Sequence, residues 1–323
     1  MFGKLLNNFY YGKSGKGDYR RDDLPRNRWQ LFWEMLRIRL SGLFRVNLMT
    51  ALAFLPMMYV WVVMVNGLFS HLLEVSDALG AGAQSASELT AQSPQVIYGI
   101  LFSGFVLLIP CVALTGPVQA GLAYVTRNWA RDEHAFVWSD FKDAVKDNWK
   151  QALGVSAITG VMPLVMLVCY RFYGAMAESG GAFFLLPQIL TLALGAVWML
   201  ALTFAYPMMV TYRMGFGTLL RNSFLLALGR LPQVAGVRLA MLLPALAAAL
   251  VAFFTPYLLY AFMALCGYYL LIGNALARYA YAAFTNAVFD RFINARIPGA
   301  EINRGLAQAE EGEDAPEEAA GVR

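Results

Sequence analysis

The sequence predicts an all-α, polytopic membrane protein: six transmembrane helices paired as three helical hairpins, with amphipathic elbow helices on the cytoplasmic side. Three observations predict it. The chain of 323 residues is 59% hydrophobic and 14% charged, with a mean hydropathy of +0.52, against an apolar share of roughly 45–50% and a charged share of about 25% in soluble domains. Six stretches, near 46–69, 96–125, 152–172, 183–211, 235–254 and 257–281, meet the roughly 20 apolar residues that a spanning helix needs. They are too long and too evenly apolar for the alternating strands of a membrane barrel. Finally, Lys and Arg cluster in alternate connections, as the positive-inside bias requires.

The first element, 1–45, is a basic cytoplasmic segment. Within it Trp29, Phe32, Trp33, Leu36, Leu40 and Leu43 recur at three- and four-residue spacing with Arg28, Arg37 and Arg39 at the edges, the pattern of an interfacial helix. No cleaved leader is expected, because the first apolar run begins after this segment and is too long for a signal core. Span one follows, with Pro56 inside it. The connection 70–95 has no Lys or Arg and carries Glu74, Asp77 and Glu88, which places it outside and both termini in the cytoplasm.

Span two exits through Gly116, Pro117 and Gln119 into the polar stretch 115–151, which returns to the membrane at span three. Ser139 is positioned to cap a short helix there, with Phe141, Val145 and Trp149 on one face and Lys142, Lys146 and Lys150 on the other. Pro163, Pro207 and Pro244 interrupt spans three, four and five, and Asn274 lies in span six. An interior Pro frees a carbonyl that in lipid needs another partner, so these positions are expected to face protein or water as kinks or hinges. The odd spans share an internal Pro and the even spans an aromatic and basic exit, which suggests a threefold repeat. Residues 286–323 read as an acidic, disordered cytoplasmic tail.

Cys111, Cys169 and Cys266 sit in apolar runs and read as small buried hydrophobes. His71 and His134 fall on opposite sides of the membrane, so no metal site is expected. The net charge of +4 is explained by the inner loops without nucleic acid. No nucleophile triad or phosphate loop is present, so no catalytic residue and no cofactor are assigned. Gln119 and Asn274 are read as interhelical hydrogen-bonding groups, and Arg238 and Arg278 as side chains near the inner interface. Without an acidic residue at mid-membrane, an ion-coupled carrier lacks its usual coupling group.

Gly116-Pro117, the small-residue run to Tyr124, Arg131-Asp132-Glu133, Asp140-Phe141 and Asn148 with Lys150-Gln151 occur in one order, together with Asn47, Tyr206-Pro207 and "LRNSFLLALGRLP". This succession resembles the YesL-like family of bacterial integral membrane proteins, defined by a domain of unknown function. The resemblance implies a bacterial cytoplasmic membrane location and an accessory or scaffolding role in carbohydrate uptake or sensing, beside a sugar ABC permease or a sensor histidine kinase. On that expectation Trp33, Arg37, Arg131, Asp140, Phe141 and Trp149 form the docking face. The competing expectation is an uncoupled transporter or channel for a small solute or lipid, with Pro56, Gly116, Pro117, Gln119, Pro163, Pro207, Pro244 and Asn274 along its wall.

Overall fold

The computed structural model describes residues 24–82 and 86–307, so the first half of the basic segment and the last sixteen residues of the acidic tail lie outside the described residues. The described chain is all-α: α1 (Arg28–Gly80), α2 (Ala86–Trp129), α3 (Val137–Gly180), α4 (Leu185–Thr211), α5 (Phe216–Gly229), α6 (Leu231–Phe254), α7 (Leu258–Tyr268) and α8 (Asn274–Phe292), with a π-helical segment, Tyr269–Gly273, joining the last two. Six helices are long and apolar enough to cross a bilayer, and the protein is a multi-pass membrane protein.

Consecutive spans pack antiparallel. Met64 of α1 lies against Gly104 of α2 and His71 Nε2 is 3.0 Å from Ser93 Oγ. Met166 of α3 lies against Gly195 of α4, and Gln188 Nε2 donates to Tyr170 O at 3.0 Å. The most extensive packing, however, joins α2 to α3, the pair that the sequence reading assigns to different hairpins. Small residues explain it: Gly116 leaves no room for a Cβ against Ser156 Oγ and Ala152 O, and Gly160 stacks on Ile109. Without a hydrophobic force between helices in lipid, close approach of this kind supplies the contact.

The elbows are where structure and expectation part. No Gly or Pro interrupts 28–55 or 137–153 apart from Gly42, and the chain stays helical: α1 runs 53 residues and α3 runs 44 without a break. The segments expected as separate interfacial helices are therefore the ends of spans one and three. Only the third equivalent, α5, stands alone, bounded by extended backbone at Tyr212 and Gly215 and by Arg230 with Pro232 behind it. Its buried face, Leu219, Ser223 and Ala227, packs into the core beside Trp198 and Phe204. The described part of the connection 70–95 is likewise mostly helix, as extensions of α1 and α2.

The start of the expected tail is also structured. Residues 286–292 complete α8, and Asp290, buried, pairs with Arg28 and accepts from Asn294 Nδ2 at 2.6 Å. Tyr212 OH donates to Asn294 Oδ1 at 2.7 Å, and Ala307 N to Pro25 O at 3.0 Å. This polar network ties the basic ends of α1, α4 and α8 together.

Candidate functional site

A cavity of about 890 Å³ opens among the spans, walled by residues of α1, α2, α3, α4, α6 and the π segment with α8. Its volume is in the range of small-molecule sites. Most of its wall is apolar, from Phe54, Trp61, Phe105, Met166 and Leu192. Its polar groups gather toward the basic end, where Gln119, Ser156, Arg238, Asn274 and Arg278 meet two tyrosines.

The two arginines define the chemistry. Arg278 Nε donates to Gln119 Oε1 at 2.6 Å, and its guanidinium lies 4.3 Å from the Tyr206 ring centre. Arg238 Nε donates to Thr203 Oγ1 at 2.8 Å and stacks 4.7 Å from Tyr281. The two cations lie within reach of each other's field. Among the described residues no Asp or Glu lines the cavity, and none gives an acceptor to the buried Arg278 Nη1. Cation–π contact offsets about 1–2 kcal/mol of desolvation, less than the several kcal/mol that burying an ion costs. Two mutually repelling cations in an apolar wall attract an anion.

Backbone irregularities shape this end. Pro117 cannot donate to Ala113 O, and Ser156 Oγ of α3 sits 2.8 Å from that carbonyl and 2.9 Å from Ala152 O of its own helix, so its one proton is shared between the freed carbonyl and its own ladder. In the last span the π segment shifts the helix ladder before Asn274. Asn47 Nδ2 donates to Tyr269 O at 3.0 Å and to Leu270 O at 2.6 Å, while its Oδ1 accepts from Ala275 N at 2.9 Å.

Of the expected wall residues, Gln119, Pro163 and Asn274 line the cavity. Gly116 stands in the α2–α3 contact with Pro117, half-buried, following it, and Pro207 is buried next to Tyr206. Pro244 is half-buried on α6. Pro56 is exposed on the surface of α1 rather than packed against another helix. Asn274 bonds within its own segment, to Tyr269 O at 3.3 Å, rather than between helices.

The expected docking residues do not form one face. Trp33, Arg37 and Trp149 are exposed. Asp140 and Trp149 line a polar groove of about 830 Å³ with Asp143, Asp147 and Arg213, but Trp33 and Arg37 do not reach it. Phe141 turns inward, its ring filling the space above Gly121. Arg131 is buried and pairs with Glu133 at 3.0 Å. Helix α3 begins at Val137 rather than after Ser139, and Asp140 Oδ2 accepts from Phe136 N at 2.9 Å.

Sequence reasoning missed Tyr206, Tyr281, Thr203 and Ser156 as site residues and took the arginines for interfacial ones. The available signal was an Arg seven residues into an apolar helix, since intramembrane cations mark sites or pathways. Comparison with known families matches residues 96–170 to a family described as "Protein of unknown function, DUF624", a match that covers α2 from Val96 on and α3 as far as Tyr170. No curated protein and no solved structure matches the chain.

Proposed function

We propose that this protein binds an anionic ligand in its central cavity and passes it between the spans without ion coupling and without catalysing a reaction. The observation that carries the reading is Arg278 Nη1, buried beside Arg238 without an acceptor among the described residues, in a wall to which those residues contribute no carboxylate. An arginine held there without a counter-ion costs free energy that an anion would return. The test is anion binding and flux with purified protein. Inorganic phosphate and sulfate should bind the full chain in detergent, and liposomes containing it should release a trapped anion faster than empty ones. Arg238→Gln and Arg278→Gln should weaken binding at least tenfold; wild type and both variants indistinguishable from empty liposomes would refute the reading.

A second reading keeps the accessory role in bacterial carbohydrate uptake or sensing, in the cytoplasmic membrane with both termini inside and the spans arranged as three hairpins. Exposed Trp33 and Arg37 on α1 and Trp149 at the rim of the groove favour it. Cross-linking in native membranes should then recover an ABC permease or histidine kinase with the wild type and less with Trp149→Ala. Because Phe141 faces inward, its substitution tests folding rather than docking.

A further inference from the structure

We infer that the anion is the head of an amphiphile, a phosphate-bearing lipid whose chain lies in the apolar part of the same cavity. This rests on the anion-binding reading and adds the chemical class of the ligand. The cavity is polarised along its length: from Gln119 to Leu101 on α2 it follows about 27 Å of helix, and from Ser156 to Tyr170 on α3 about 21 Å, at 1.5 Å per residue. That exceeds half of a hydrocarbon core of roughly 30 Å, the depth of one leaflet. Both arginines lie at one end of this slot, whereas the α3 wall beyond Thr159 is Gly160, Met162, Pro163, Met166 and Leu167 up to Tyr170.

A free, hydrated anion gains nothing from that stretch, because shedding water against apolar walls without replacement hydrogen bonds is costly. A chain attached to a phosphate fills it and gains the burial. Phosphate also suits the donors, since guanidinium N–H groups offer paired hydrogen bonds to its oxygens. Entry from the bilayer has a route along α6, which supplies Arg238, Met241 and Leu242 to the wall yet buries only Val234.

The experiment measures binding to the purified full chain in a non-ionic detergent with three probes: monododecyl phosphate, inorganic phosphate and dodecanol. The expected result is monododecyl phosphate binding at least tenfold more tightly than either of the others. Arg278→Gln should reduce that affinity at least tenfold. Leu167→Trp, which narrows the slot away from the arginines, should weaken the amphiphile severalfold and leave inorganic phosphate unchanged. Equal affinities for the amphiphile and inorganic phosphate, with no effect of Leu167→Trp, would overturn the lipid inference while leaving the anion site intact. Dodecanol binding as tightly as its phosphate ester, or no binding of either phosphate probe, would overturn both. Should Arg278→Gln fail to fold, the wild-type probe comparison and Leu167→Trp still decide.

Discussion

Asn47 of α1 is bonded to Leu270 of the last span, its Nδ2 2.6 Å from a carbonyl that the π segment takes out of the regular helix ladder. The same side chain takes the Ala275 N–H, so one buried amide serves both sides of the irregularity. Asn47→Leu should therefore lower stability by about 2–5 kcal/mol, since each buried group left unpaired costs roughly 1–3 kcal/mol. Asn47→Asp, which keeps the acceptor and loses the donors, should fall below wild type as well. Thermal unfolding in detergent reads both; a wild-type melting temperature for Asn47→Leu would show the π segment to be self-sufficient.

The α2–α3 contact makes a contrast between two glycines of one helix. A Cβ at Gly116 would press on the Ala152 carbonyl, whereas one at Gly99 meets nothing within 4 Å. Gly116→Val should cost at least about 2 kcal/mol by forcing the helices apart. Gly99→Ala should be neutral or stabilising by up to about 1 kcal/mol, because it removes backbone freedom from a helix. Folded yield and melting temperature separate the two, and equal behaviour would contradict the close approach.

Pro117 and Ser156 give a double-mutant test. Ser156→Ala alone should cost about 1 kcal/mol, the net worth of a hydrogen bond. In a Pro117→Ala background the restored N–H reaches Ala113 O within α2, so Ser156→Ala should then be nearly neutral. Additive losses would mean that Ser156 acts by packing rather than by satisfying the freed carbonyl.

Tyr212 predicts an alkaline effect. Burial, and then the neighbouring Asp290 carboxylate, push its hydroxyl up to about 12, above the ordinary value of about 10. Between those values the folded chain keeps a proton that the unfolded chain has lost, so stability falls as pH rises through the window and is fully present below it. Tyr212→Phe should be less stable than wild type at pH 8, through loss of the bond to Asn294, and the gap should narrow by pH 12. A gap that stays constant across this range would show that Tyr212 does not titrate differently on folding.

The spans were legible because twenty apolar residues in a row have few other uses. The central site was not, because its arginines are recognisable only once each is seen to stack on a tyrosine from another helix, Arg278 on Tyr206 of α4 and Arg238 on Tyr281 of α8. Periodicity placed Phe141, Val145 and Trp149 on one helix face, yet Gly121 accepts the first two while Trp149 stays 47% exposed. A helical wheel shows which side chains share a face but not how far along the helix its neighbour extends. Asp290 escaped for a related reason: an acidic residue near a polar tail reads as solvated until Arg28, 262 residues earlier, is found against it.

The unbroken length of α1 has a mechanical consequence. From Asn47, where it is fastened to the last span, roughly 28 Å of helix reaches back to Arg28 and roughly 50 Å reaches on to Gly80, at 1.5 Å per residue. Both arms are tied down as well, the short one through Arg28 to Asp290 and the long one through Met64 against Gly104 and His71 beside Ser93, so α1 is held at four depths rather than one. Pinned along its length, the helix is a fixed post for the spans around it, and any bend at Pro56 falls between fastened points.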